Sequence, residues 1–278
     1  MSLITRHFKK SAVSVAAAAM CFGLLAVPAG ASGGPTQPSS KVGVAVNGPL
    51  PASVLDAKFL DQRGNVVSLR NLLGQTVFIV PFLTLCPDTC PFTAGNLLQL
   101  QSQLTKDKAK NVWVVAISVD PYRDSVARIK AYRSMIKGNF AIWTGQGTTT
   151  TPVSPKNASG ADSVGTGDVN VNTATIESFF GWQAQIVKED TPASVDWMAP
   201  HKKLTYDVSH SDGFYVVNSA GTLRFVGTHA PQFHGDLVHQ LYKFLNSDGK
   251  YTAKHPTKGG WTPTDALNAM SWVAGQTL

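Results

Sequence analysis

The 278-residue chain is 43% hydrophobic and 15% charged, with 24 Lys and Arg against 17 Asp and Glu and three Cys. Such a composition can bury a core, and it excludes a disordered chain, a collagen-like repeat and a disulfide-dense mini-scaffold. Of the +7 net charge, Arg6, Lys9 and Lys10 precede an apolar N-terminal run; the remaining 21 basic and 17 acidic residues leave +4, which a solvated surface accounts for. No basic run carries interleaved aromatics, so no nucleic-acid partner is expected.

Ala12 to Val27 is uncharged and apolar and is followed by Pro28-Ala29-Gly30-Ala31-Ser32. Charge, apolar run and small-residue site stand in the order of an export signal. Residues 1–31 are therefore expected to be a signal peptide, cleaved after Ala31 to leave 247 residues. The run is also close to the roughly 17-residue minimum for a membrane span, so an uncleaved N-terminal anchor is the alternative. A lipoprotein through Cys21 fits less well, because Cys21 follows Met20 in mid-run rather than a small residue at its end. Export leaves Cys86 and Cys90 as the thiols of the mature chain, and a disulfide this short-range would constrain the unfolded state little. The pair is expected to be chemical rather than structural.

Residues 32–50 are rich in Gly, Ser and Pro and are expected to be a linker, with the folded domain over 51–246. Val54–Leu60 and Val66–Leu69, around Asp61-Gln62-Arg63-Gly64-Asn65, predict a hairpin. Thr76–Leu83 and Val112–Val119 are nearly continuous apolar runs, as in strands covered on both faces. Between them Pro91–Leu104 has Leu97, Leu100 and Leu104 on one helical face, which predicts a right-handed crossover and a parallel pair. A helix over Arg123–Lys137 and a strand over Phe140–Trp143 follow. Residues 145–172 hold no Leu, Ile, Phe, Tyr or Trp and are expected to be a polar insertion. Structure resumes at Ile176–Phe180 and Gln183–Val187, a second hairpin pairs Phe214–Val217 with Thr222–Val226, and a helix over Gly235–Leu245 closes the domain. The C-terminal tail, 247–278, offers a helix from Thr264 to Ala274 and no recognisable chemistry. Alternating strands and helices with a late antiparallel hairpin indicate a three-layer α/β domain with a mixed sheet.

The most specific feature is Thr84-Leu85-Cys86-Pro87-Asp88-Thr89-Cys90-Pro91, at the end of a predicted central strand and the start of a helix. Pro91 suits the first helical position. Cys90 would then be the N-cap, where the helix dipole favours thiolate, the form that attacks disulfides and ligates metals. The flanking prolines and Asp88 suggest an exposed turn. C-x-x-x-C is wider than the C-x-x-C of ordinary thiol oxidoreductases, so chelation of a soft metal is at least as natural as disulfide cycling. Two sulfurs do not complete a site for a common metal, and a third ligand is expected. His210, in Tyr206-Asp207-Val208-Ser209-His210-Ser211, stands before a strand, a position that by itself describes a solvated loop as readily as a ligand. His229, His234 and His239 are spaced five apart and would face different ways on a helix; His201 and His255 have polar neighbours.

C-P-D-x-C-P, then S-V-D-P-x-R-D over Ser118–Asp124, W-T-G over Trp143–Gly145 and Y-x-V-x-H-S over Tyr206–Ser211 resemble, in order, the signatures of the Sco/SenC family of cytochrome c oxidase assembly proteins. The resemblance spans Pro51 to Leu245. It implies a thioredoxin-like fold, one copper ion as Cu(I) or Cu(II) held by Cys86, Cys90 and His210, and a domain outside the cytoplasm. Two thiolates and an imidazole suit soft Cu(I), with zinc the nearest competitor. Asp88 is expected to form the turn, and Asp120 and Asp124 to shape the next helix N-terminus. The function implied is a metallochaperone delivering copper to the dinuclear copper centre of cytochrome c oxidase subunit II or another copper-accepting protein. A thiol-disulfide reductase that prepares the recipient's cysteines, exchanging with other thiol-disulfide oxidoreductases, is the alternative. A peroxiredoxin-type peroxidase is disfavoured, since Pro81 and Thr84 stand only five and two residues before Cys86.

Overall fold

The computed structural model describes residues 34–145, 171–188, 195–204, 206–233, 239–256 and 259–278. The expected signal (1–31) and nearly all of the polar insertion lie outside the described residues. In chain order the elements are β1 (Gly43–Pro49), α1 (Ala52–Leu55), β2 (Phe59–Asp61), β3 (Val66–Val67), a 3-10 turn (Leu69–Leu72), β4 (Thr76–Phe82), α2 (Cys90–Lys106), β5 (Val112–Ser118), α3 (Val126–Met135), β6 (Ala141–Gly145) and α4 (Val171–Phe180). They continue with β7 (Gln185–Lys188), β8 (Val195–Asp196), β9 (Ala199–Lys203), β10 (Tyr206–Ser209), β11 (Phe214–Val217), β12 (Thr222–Gly227), α5 (His239–Lys243), α6 (Ser247–Lys254) and α7 (Pro263–Ala274).

One eight-stranded sheet runs β1-β12-β11-β4-β5-β6-β2-β3. β4, β5 and β6 are parallel and the other neighbours antiparallel. All seven residues of β4 are buried, as a β-branched and aromatic run at the centre of a covered sheet requires. Its register with β5, Thr76↔Val112 through Phe82↔Ser118, is uninterrupted. Pro81 is tolerated because the pairing with β11 has already ended at Ile79. α7 lies across β4, β11 and β12 and packs on α2, while α3 and α4 pack on β6. The result is the expected α/β domain with a mixed sheet and helices packed on it, and the C-terminal end of β4 delivers the chain to the cysteine turn.

Three expectations need correction. The linker was placed over 32–50, but Gly43–Pro49 is a strand paired with β12 from Gly43↔Gly227 to Pro49↔Thr222. Its partner is so distant in sequence, and its Gly, Asn and Pro so loop-like, that local pattern conceals it. Gly43 is required there, since a Cβ would stand 2.1 Å from the Val226 carbonyl oxygen. The first hairpin is shorter than expected: β2 and β3 pair Phe59↔Val67 and Leu60↔Val66, but Val54 and Leu55 belong to α1. The tail, 247–278, is no appendage: Trp261, Ala266, Ala269 and Met270 are fully buried. Thr262 and Asp265 form a capping box at the start of α7, and Gly275 ends it with φ +69°.

The ends of the polar insertion come close together. Gly145 pairs with Phe59, while the backbone N–H of the preceding Lys58 donates to Asn172 Oδ1 at 2.8 Å. A short Gly/Ser link in place of 146–170 is therefore expected to leave the thermal unfolding midpoint nearly unchanged. A large loss of stability on circular dichroism melting would mean that the replaced residues pack.

Candidate metal centre

β4 runs into buried Leu83, Thr84 and Leu85, half-buried Cys86 and then Thr89, which is the N-cap of α2. Cys90 is the first helical residue and Pro91 the second, one position on from the expected capping arrangement. Pro91 still sits where its missing N–H costs no helical bond. Both thiols are free, and the Cys90 amide donates to Cys86 Sγ at 3.4 Å. Cys90 is 1% exposed, so the expected open turn is partly open from Cys86 to Thr89 and closed at Cys90. Burial, with Cys86 and the Asp212 carboxylate beside it, pushes the Cys90 thiol well above its ordinary range. The helix-dipole effect expected to favour thiolate is outweighed, because desolvation penalises the charged form.

His210 follows β10 and is brought to Cys90 across the fold, with Nε2 at 3.8 Å from Cys90 Sγ. Its Nδ1 lies 2.8 Å from the Ser211 carbonyl oxygen. A carbonyl can only accept, so Nδ1 carries a proton, and in the neutral ring Nε2 offers its lone pair on the side of the sulfur. Cys86, Cys90 and His210 are thus the residues that could hold a soft metal, and the donor chemistry fits one. Among the described residues no group of three or more His, Cys, Asp or Glu is already closed into a metal-holding arrangement.

Around these donors lie Asp88, held up in pKa by burial and by Asp248 and Asp207, and Asp212, raised by burial against the opposing pull of His210. The other described histidines, His201, His229, His239 and His255, are exposed.

The Ser118–Asp124 motif does more than start a helix. Asp120 and Asp124 are fully buried. Asp124 accepts from the Thr84 amide at 3.2 Å, from the Thr84 hydroxyl and from Ser118 Oγ at 2.7 Å, tying down the chain two residues before Cys86. Arg128 joins this anchor from α3, donating to Thr84 Oγ1 at 2.6 Å and forking onto Asp196 at 2.5 and 2.9 Å. Trp197 donates its indole N–H to the Thr84 carbonyl at 2.8 Å. On the histidine side, Arg123 is paired with Asp120, lies 3.8 Å over the Tyr206 ring and donates to the Tyr206 carbonyl at 2.6 Å. Tyr206 OH returns to Asp120 at 3.2 Å. One motif on the β5–α3 connection therefore anchors both the cysteine turn and the strand carrying His210. Nearby Glu177 is pushed up to about 9 by burial and by Asp120, and its Oε1 has no hydrogen-bond partner.

The anchoring roles of Arg128, Asp196 and Trp197 have no local signal beyond a lone Trp in polar surroundings. Arg123 stands within a motif already singled out, but its partner is 83 residues away.

The SCO1/SenC family model matches residues 54–158, which include both cysteines and the Ser118–Asp124 motif. Over those residues the chain is similar to the SCO1/SenC family. His210 lies beyond the matched segment, so its place beside the cysteines rests on the contact with Cys90. The chain is 29% identical over 97 residues to a "putative copper-binding protein" of Stutzerimonas stutzeri, covering 35% of this chain and 48% of that protein. It is 37% identical over 78 residues to the mitochondrial "SCO2 homolog" of Bos taurus, covering 28% of this chain and 29% of that one. The match thus spans about half or less of these curated relatives. A solved structure of Bradyrhizobium japonicum ScoI with copper bound aligns over 82% of this chain and 99% of that one, at 20% identity and a TM-score of 0.49.

Proposed function

We propose that this protein is an extracytoplasmic copper chaperone whose cargo is held by Cys86, Cys90 and His210 and delivered to the dinuclear copper centre of cytochrome c oxidase. The observation that carries this reading is the imidazole: with Nδ1 bound to the Ser211 carbonyl, the Nε2 lone pair is presented to Cys90 Sγ at 3.8 Å. Two sulfurs and one neutral imidazole match the ligand preference of Cu(I). The burial of Cys90 and the half-exposure of Cys86 give the site an inner and an outer sulfur. A recipient thiol can displace Cys86 first while Cys90 and His210 still hold the ion. The described helices include none long and apolar enough to cross a membrane; the extracytoplasmic assignment rests on the order of residues 1–32 and is tested by N-terminal sequencing of exported protein, expected to begin near Ser32.

Copper binding is expected to require both cysteines. Cys86→Ser and Cys90→Ser should each lose tight binding of one equivalent of Cu(I), measured by competition with a chromophoric chelator. Binding should weaken as pH falls, because protons compete for both sulfurs and the imidazole. Retention of one tightly bound equivalent by either variant would exclude this site.

The proximity of the two free thiols supports a second reading, thiol–disulfide reduction. In that step Cys86 and Cys90 lose two electrons and two protons to form a disulfide, and the recipient's disulfide gains them to become two thiols. His210 is not needed for it.

A further inference from the structure

Residues 246–278 lie outside the family match, yet they touch both loops of the candidate centre. The Asn246 amide donates to the Pro87 carbonyl at 2.9 Å, between the two cysteines in sequence. Asn246 Oδ1 caps α6 by accepting from the Gly249 amide at 2.7 Å, which brings Gly249 down on the same carbonyl. A Cβ at Gly249 would stand 2.9 Å from Pro87 O. Further along, fully buried Trp261 packs edge-on against Phe78 and Phe214 and donates its indole N–H to the Asp212 carbonyl at 3.4 Å, two residues after His210. The Trp261 carbonyl accepts from Asn96 of α2 at 3.0 Å, so the same residue is tied to the helix that Cys90 begins.

We propose that this C-terminal segment is a positioning element of the metal centre, a two-point clasp in which Asn246 and Gly249 hold the cysteine turn and Trp261 holds the histidine loop. Cys86 and His210 belong to loops 124 residues apart in the chain, and each is tied from outside by one end of the clasp. Their separation is then set by packing before an ion arrives, so less ordering remains to be done on binding. The inference rests on the copper reading above for its metal readout but not for its thiol readout.

Gly249→Ala forces the turn to shift at Pro87, and Trp261→Phe keeps an aromatic ring while removing the N–H to Asp212. Each is expected to weaken Cu(I) binding about tenfold, the scale of outer-shell support at metal sites. Leu278→Ala, which removes a buried side chain of the same segment far from both clasp points in sequence, should lower the thermal midpoint and leave copper affinity unchanged. In the metal-free protein, Gly249→Ala should also raise the alkylation rate of Cys86 severalfold. Parental copper affinity in both clasp variants, or an equal loss in Leu278→Ala, would overturn the clasp. If the parent protein binds no copper through these residues, the metal reading fails, and the alkylation rate decides the clasp: an unchanged rate in Gly249→Ala overturns it and a raised rate upholds it.

Discussion

His210→Ala should lower Cu(I) affinity by at least two orders of magnitude, about 2.7 kcal/mol at 1.36 kcal/mol per decade, while leaving the Cys86–Cys90 pair able to form and lose a disulfide. The imidazole is a direct donor candidate, with its Nε2 lone pair 3.8 Å from Cys90 Sγ and its proton committed to the Ser211 carbonyl. No other described histidine can replace it, since those are exposed. Disulfide chemistry needs the two sulfurs alone. The variant therefore separates the two proposed functions: chelator competition reports the metal, a thiol redox titration reports the pair, and complementation of an oxidase-assembly defect reports which one the cell uses. Undiminished copper affinity would refute the ligand assignment. Lost affinity with full complementation would establish the reductase reading.

Arg123→Ala should be among the most destabilising substitutions in the domain, by about 3–5 kcal/mol. Its guanidinium is the ion-pair partner of Asp120, whose side chain is 0% exposed, and it supports Tyr206 through both ring and carbonyl. Truncation leaves the carboxylate buried without its charge partner, a far larger penalty than the pair's net worth. Adding Asp120→Asn should recover part of the loss, because the unpaired charge goes with it. Urea unfolding of the single and double variants measures both effects. A loss below about 1 kcal/mol, the scale of an exposed pair, would show that water reaches Asp120. Copper affinity should fall in the single variant as well, because β10 loses its anchor four residues before His210.

Much of the site was legible because its elements are local. β4 and β5 are apolar runs whose register needs no distant information, and α2 has Pro91 and its leucine face in adjacent turns. The two cysteines at the strand-to-helix turn follow from that order. The helix N-terminus suggested an activated thiolate at Cys90, but burial reverses that direction, and burial depends on what the rest of the chain places over the turn. Asp120 and Asp124 look like ordinary helix-start residues until their partners are known: Thr84 lies 40 residues before Asp124, and Tyr206 lies 86 residues after Asp120.

The sequence by itself determined the order of strand, cysteine turn and helix, the chemical character of the donors and the export-like N-terminus, since each depends on residues within a few turns of one another. The tertiary structure decided which histidine meets the thiols, which sulfur is covered, and that β1 and the C-terminal segment belong to the domain. Those outcomes depend on pairings across more than a hundred residues, such as Cys90 with His210 and Asn96 with Trp261. Only an assembled sheet and a filled core specify contacts at that separation, because their free energy comes from burial shared by many segments and not from any local pattern.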